Sequence, residues 1–112
     1  MEKFVEQSYL YDFYGELLTE HQKRIYQEIV FDDFSEAEVA RDEGISRQGV
    51  HDLMKRCQKT LEDYEKRLHL VEKFLKIRDN VRRIQEMTEQ EPETNPRMKE
   101  ISRVAAGILD EI

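Results

Sequence analysis

The chain has 112 residues, of which 38% are hydrophobic and 38% are charged, and its formal net charge is −7 at pH 7. This size supports one domain with a modest core, and the negative balance argues against a protein that holds nucleic acid by overall charge alone. The sequence has a single cysteine, no signal-peptide pattern and no apolar run near the 18 or so residues of a membrane span, so we expect a cytoplasmic protein that does not cross a membrane.

The first two predicted elements are helices with apolar stripes. Residues 4–18 are dense in aromatic side chains at helical spacing, which favours core packing over the alternative of stacking on single-stranded bases. Thr19 and Gln22 have the spacing of a capping box, in which each side chain satisfies an unpaired backbone N–H at the helix start. We expect the second helix to extend to about Asp32. Its buried stripe is predicted at Ile25, Ile29 and Val30.

The next stretch has the pattern of a helix-turn-helix. Ser35 and Glu38 form a second predicted capping box, and Gly44 ends the helix because glycine adopts the left-handed conformation at least cost. Ile45 is predicted to point inward and Ser46 to cap another helix. Two helices joined by a three-residue turn that contains glycine are typical of proteins whose second helix lies in the DNA major groove.

A long apolar repeat follows the turn. Its spacing alternates four and three, at Val50, Met54, Cys57, Leu61, Tyr64, Leu68, Val71 and Leu75. The stripe then changes phase near His69 to Glu72, which predicts a bend or a break between two helices. The alternative is one rod of about forty residues, roughly 60 Å long.

The C-terminal part is predicted to be a helical extension. Residues 89–95 are acidic, contain a proline and lack apolar side chains, so they are predicted to be a linker. Asn95 and Pro96 then begin an amphipathic helix that reaches Ile112. The predicted fold is all-α with about five helices, divided into a helix-turn-helix domain at residues 1–70 and an oligomerising extension at residues 71–112. The apolar surface of this extension predicts a homodimer. The alternative is a monomer in which the last helix folds back across the second apolar stripe.

Positive charge is concentrated where the second motif helix begins. Residues 46–83 carry 11 basic and six acidic side chains, whereas the segments before and after are acidic. The apolar phase turns Val50, Leu53, Met54 and Cys57 inward. The predicted DNA-binding residues on the other faces are Ser46, Arg47, Gln48, His51, Lys55, Arg56 and Lys59.

These residue types suit different parts of duplex DNA. Arg47, Gln48 and His51 lie in the first turns, where a recognition helix reaches base edges, whereas the later basic residues suit phosphates. The alternative is a solvated basic face on a motif that contacts only proteins. Two features weigh against DNA: Gly49 costs about 1 kcal/mol relative to alanine inside a helix, and Asp52 places a negative charge beside His51.

Catalytic and metal-binding patterns are weak. The three histidines lie on separate predicted helices without a second ligand at metal spacing, and Cys57 lies on the inward stripe. The sequence shows no Ser-His-Asp arrangement and no phosphate-binding glycine loop. We therefore expect a non-enzyme without a metal or cofactor.

The motif resembles a known family. An acidic residue precedes Val39 and Ala40, then come Gly44, Ile45 and Ser46, and an apolar residue follows four positions after Ser46. This pattern resembles region 4 of the sigma factors. Together with residues 18–24, residues 61–68 and the short acid-ended layout, it is similar to the YlxM family of small bacterial helix-turn-helix proteins over about residues 1–90.

The resemblance implies more than the residues show. The YlxM family is associated with the signal recognition particle pathway through gene proximity, so the likeness implies a regulatory or accessory role there. The first hypothesis is a DNA-binding regulatory protein. The alternatives are a helical protein–protein adaptor and an accessory factor that binds RNA or another component of the particle.

Overall fold

A computed structural model describes residues 1–89 and 95–112, and all regular structure in those ranges is helical. The helices are α1 (Lys3–Tyr14), α2 (Glu20–Val30), α3 (Glu36–Glu43), α4 (Arg47–Leu68), α5 (Leu70–Glu89) and α6 (Pro96–Glu111), with a short 3-10 turn (Gly15–Leu17) after α1. The all-α prediction is confirmed. The chain forms two compact units, Met1–Val71 and Glu72–Ile112.

The core of the first unit joins α2, α3 and α4. Ile25, Val39 and Val50 are fully buried in one cluster with Ala40. The residues that pack on this cluster are Ile29, Leu53 and Met54, each partly buried. Complete burial of each large aliphatic side chain contributes about 1.5–3 kcal/mol. The cluster therefore fixes the three helices of the motif against one another.

Aromatic side chains attach α1 to this core. Tyr14 and Tyr26 are almost inaccessible to solvent. The Tyr11 and Tyr26 rings stack with centroids 5.2 Å apart, and the Tyr14 and Tyr64 rings stack at 6.0 Å. These contacts support core packing for the central aromatic residues of α1, whereas Phe4 near its start remains more than half exposed.

Most predicted helix caps form as expected. The Thr19 and Gln22 side chains make the reciprocal capping box at α2. Gly44 adopts a left-handed conformation with φ of 69° after α3, and the Ser46 hydroxyl accepts a hydrogen bond from the Gly49 N–H. Asn95 likewise caps α6, with Pro96 in its first turn. Helix α2 ends at Val30.

Two predictions at the motif were wrong. The first half of the Ser35 capping box forms, since the Ser35 hydroxyl accepts a hydrogen bond from the Glu38 N–H. The second half does not, because the Glu38 carboxylate accepts from the Ser35 hydroxyl and not from the Ser35 N–H. Ile45 does not point into the core, because its side chain is 43% exposed and lies beside Gly49. The turn runs along the edge of the three-helix cluster, so its apolar residue stays at the surface.

The long apolar repeat is broken at His69. Helix α4 ends at Leu68, His69 adopts a left-handed conformation with φ of 57°, and α5 begins at Leu70. The Tyr14 hydroxyl accepts a hydrogen bond from the Leu70 N–H at 3.1 Å. The Glu65 carboxylate accepts one from the Val71 N–H at 3.0 Å. Side chains of α1 and α4 therefore cap α5, and the break replaces the alternative of a single rod.

The second unit contains most of α5 together with α6. Val81, Thr88 and Ala105 are buried there. A row of apolar side chains remains between 39% and 55% exposed, at Ile101, Val104 and Ile108 of α6 and at Ile112 just after it. The predicted linker falls largely on residues 90–94, which lie outside the described residues.

None of the helices in residues 1–89 and 95–112 combines the length and the apolar character that a membrane span requires.

Candidate nucleic-acid interface

The start of α4 presents one face to the core and another to solvent. Val50 and Cys57 are fully buried. An α-helix has 3.6 residues per turn, so the burial of these two residues determines which other side chains of α4 face solvent. The basic side chains that consequently remain exposed are Arg47, Lys55, Arg56 and Lys59. The structure thus brings these four predicted residues onto the solvent side of one helix.

Ser46 and Gly49 form the N-terminal cap of α4. The Ser46 hydroxyl lies 2.9 Å from the Gly49 nitrogen. A Cβ added to Gly49 would lie 3.2 Å from that hydroxyl oxygen, which is closer than most real contacts. A side chain at this position would therefore require the capping hydroxyl to shift by a small amount, whereas glycine leaves the cap uncrowded. Ser46 acts first as a cap, and its contact with DNA stays a prediction.

Two of the three predicted base-reading side chains already have acidic partners. The Gln48 amide donates to Asp52 Oδ1 at 2.9 Å within the helix. His51 Nδ1 lies 3.1 Å from Glu36 Oε1, which belongs to the first turn of α3. Sequence reasoning placed Asp52 beside His51 but missed Glu36, because Glu36 is 15 residues away and reaches His51 only through packing of α3 on α4.

A charged cluster fixes the preceding helix pair. Arg24 of α2 donates to both carboxylate oxygens of Glu43 at 2.7 and 3.0 Å, and His21 Nε2 lies 3.1 Å from the same group. The Arg24 hydrogen bond, followed by that from His21, lowers the pKa of Glu43. Glu43 is the last residue of α3, so this cluster holds α3 to α2 just before the turn. No local sequence signal pairs residues this far apart.

A groove lies beside the exposed face of α4. It has a volume of about 530 Å³ and is lined partly by Phe4, Val30 and Met54. His51 and Lys55, two predicted DNA-binding residues, also line it. No sequence pattern predicts this groove, because its walls come from four different helices.

The chain matches a described protein family along most of its length. The model of family UPF0122, described as "Putative helix-turn-helix protein, YlxM / p13 like", matches residues 1–101. The chain belongs to the UPF0122 family. UPF0122 proteins of Bacillus cereus (strain AH187), Bacillus anthracis (strain A0248) and Bacillus thuringiensis subsp. konkukian (strain 97-27) are each 36% identical over 101 residues, which cover 90% of this chain and 92% of the relative.

Membership in UPF0122 confirms the resemblance to the YlxM family. The match extends beyond the helix-turn-helix to all of α5 and the first residues of α6. The helix-turn-helix named in the family description corresponds here to α3, the turn at Gly44 and α4.

Proposed function

We propose that this UPF0122 protein is a DNA-binding regulatory protein that inserts the first turns of α4 into the major groove of duplex DNA. The observation that carries the proposal is the exposed basic face of α4, which directly follows the Gly44 turn and lies opposite the buried Val50 and Cys57. A recognition helix usually follows a tight turn and packs one face against the core, so that its other face can enter the major groove.

The proposed roles follow from position along α4. Arg47 is the first residue of the helix and is exposed, so its guanidinium can make the two parallel hydrogen bonds that select guanine. Gln48 and His51 complete the base-reading set. Lys55, Arg56 and Lys59 lie about one to two turns beyond His51 and bind phosphates, which position the helix without selecting sequence.

Binding of fluorescent duplexes to three alanine variants tests these roles. Arg47→Ala should weaken binding to the preferred site by about 1–3 kcal/mol and relax selectivity at one base position. Lys55→Ala should weaken all sequences alike and reduce the slope of log affinity against log salt by about 1. The matched control is Lys66→Ala, which removes the same charge about 16 Å further along α4 and should have little effect.

Duplex binding by the wild-type protein tests the proposal as a whole. Phosphate contacts strengthen at low salt, so duplex binding should be measurable at about 50 mM salt. If the wild type binds no duplex under that condition, the DNA-binding proposal is wrong.

A second candidate function is a helical adaptor, or an RNA-binding accessory factor, in the signal recognition particle pathway. The exposed apolar row on α6 favours the adaptor, because such a row suits an apolar contact with another protein. The salt dependence of binding distinguishes nucleic-acid binding from the adaptor function. Binding through phosphates falls steeply with salt, whereas an apolar helix contact responds little.

The proposal also includes a homodimer. It assigns DNA binding to residues 1–70 and oligomerisation to residues 71–112, where the α6 row of Ile101, Val104, Ile108 and Ile112 offers the contact surface. Two copies would double the phosphate contacts that a single small motif can make, and a two-fold axis would match paired half-sites.

A further inference from the structure

We propose that Glu36 is a positioning residue for His51, and that it makes His51 a hydrogen-bond acceptor toward the major groove. The inference rests on the proposed DNA-binding function and deepens it, because it names the base-edge groups that α4 reads. Glu36 itself touches no DNA in this proposal. It acts through the orientation and protonation pattern of the His51 ring.

The argument starts from the contact between the two side chains. His51 Nδ1 lies 3.1 Å from Glu36 Oε1. An ionised carboxylate can only accept a hydrogen bond, so the proton of this contact belongs to Nδ1. A neutral imidazole carries one proton, and Nε2 is therefore left with its lone pair. The contact consequently selects the tautomer in which Nε2 accepts.

The packing of α3 on α4 maintains this contact. Glu36 is the first residue of α3, and His51 follows the fully buried Val50 of α4. Val39 and Ala40 share the core cluster with Val50, so the two helices are fixed to each other a few residues from the pair. The side chain of His51 is 43% exposed, which leaves part of its ring accessible to a ligand.

The neighbouring base-reading side chain shows the same pattern independently. The Gln48 nitrogen donates to Asp52 at 2.9 Å, and the acceptor-only carboxylate forces the amide nitrogen to face Asp52. The amide oxygen of Gln48 is then the atom turned away from Asp52. Glu36 and Asp52 thus each bind the donor nitrogen of their partner and leave the partner's acceptor atom on the side away from the carboxylate.

Hydrogen-bond acceptors on the protein bind only those base edges that present a donor. In the major groove the hydrogen-bond donors are the amino groups of adenine N6 and cytosine N4, whereas guanine and thymine present acceptors there. His51 should therefore prefer adenine or cytosine at the base it contacts. Arg47 supplies the complementary donor for guanine. The carboxylates also repel phosphates, which reduces binding to unrelated DNA.

Nitrogen-15 NMR of the full-length protein tests the tautomer directly. Long-range proton–nitrogen spectra distinguish the two ring nitrogens, and His51→Gln identifies the His51 signals by their loss. The spectra are compared above the pH at which the His51 signals stop titrating. The Nδ1–H tautomer should predominate in the wild type, and Glu36→Ala should shift the ring toward the Nε2–H tautomer.

Glu38→Ala is the matched control. Glu38 lies in the same first turn of α3, and its carboxylate contacts the Ser35 hydroxyl at 3.2 Å. Its removal changes the charge of α3 by the same amount and should leave the His51 tautomer unchanged. Thermal unfolding of both variants checks that each retains its fold.

Selection from a randomised duplex library tests the consequence for recognition. At one position the wild type should favour adenine and cytosine over guanine and thymine by about three- to tenfold, the range of a single net hydrogen bond. Glu36→Ala should lose this preference at that position alone, and Glu38→Ala should retain it.

The outcomes separate this inference from the proposed function. A predominant Nε2–H tautomer in the wild type overturns the role of Glu36 even where duplex binding is intact. Identical selected sequences for the wild type and Glu36→Ala also overturn it. If the wild type binds no duplex at all, the DNA function and the base reading fail together.

Discussion

The burial of Cys57 indicates which face of α4 packs against the core. It is fully inaccessible to solvent, and burial raises the pKa of its thiol to about 11. The reactive form of cysteine is the thiolate, so both access and ionisation are suppressed in the folded chain. The residue lies on the face opposite the candidate interface, which makes its reactivity an independent measure of which face is buried.

We predict that a thiol reagent labels Cys57 slowly in the native protein and rapidly in denaturant. Raising the pH to about 9 should speed labelling of the unfolded chain, whose thiol has a pKa of about 8.5, and should affect the native protein much less. The time course of reagent absorbance measures both rates. Rapid labelling of the native protein would show that this face of α4 is exposed and that its proposed orientation is wrong.

Gly44 and Ile45 show that neighbouring residues can differ in how well sequence predicts them. Gly44 takes the left-handed conformation that its position at the end of α3 requires. That requirement is local, because in the left-handed conformation a Cβ crowds the following carbonyl oxygen, and glycine avoids this cost. The exposure of Ile45 depends instead on where the core cluster ends, which no local rule specifies.

At the scale of elements, the start of α5 depends on side chains from two earlier helices. The Tyr14 hydroxyl of α1 donates to Glu65 at 2.6 Å and accepts from the Leu70 N–H. Burial, followed by the hydrogen bond to Glu65, raises the pKa of Tyr14. Without these partners the first N–H groups of α5 would lack acceptors, so the network stabilises the break at His69.

We predict that Tyr14→Phe lowers the free energy of unfolding by about 1–3 kcal/mol, because it leaves the Leu70 N–H without its acceptor. Urea denaturation followed by circular dichroism measures the change. The matched control is Tyr11→Phe in the same helix, α1, which removes a more exposed hydroxyl that accepts from Gln27 of α2 at 2.6 Å. Its effect should be smaller, and equal losses for the two variants would contradict the capping role of Tyr14.

For the whole molecule, the question is what covers the apolar row of α6. Ala105 of the same helix is buried within the chain, but Val104 beside it is 55% exposed. One helix thus carries both a covered face and an uncovered one. The proposed homodimer covers the second face. The competing account is a monomer in which the last helix folds back across the second apolar stripe of the chain.

We predict that the full-length protein is a dimer in sedimentation equilibrium at micromolar concentration. Val104→Asp should convert it to a monomer, because the dimer would bury an unpaired carboxylate. A chain that ends at Glu89 should also be monomeric. The matched control is Lys99→Gln, which changes the net charge by the same amount on the other side of α6 and should remain dimeric. A monomeric wild type under these conditions would rule the dimer out.

The sequence by itself determined the helices, most of their caps and their buried faces. The capping box of Thr19 with Gln22, the Gly44 stop and the Ser46 cap each depend on groups within four residues, so local side-chain and backbone interactions specify them. The burial of Val50 and Cys57 followed from helical periodicity. The same periodicity placed the basic side chains of α4 on the solvent side.

Only the tertiary structure decided which helices meet and which polar groups they bring together. Glu36 reaches His51 across 15 residues, and the Tyr14 hydroxyl reaches the Leu70 N–H across 56. Such pairs depend on how α1, α3 and α4 pack, and packing is a property of whole side-chain clusters rather than of local spacing. For this reason the exposure of Ile45 and the acidic partner of His51 became visible only in the folded chain, whereas the break at His69 was already indicated by the phase change of the apolar stripe.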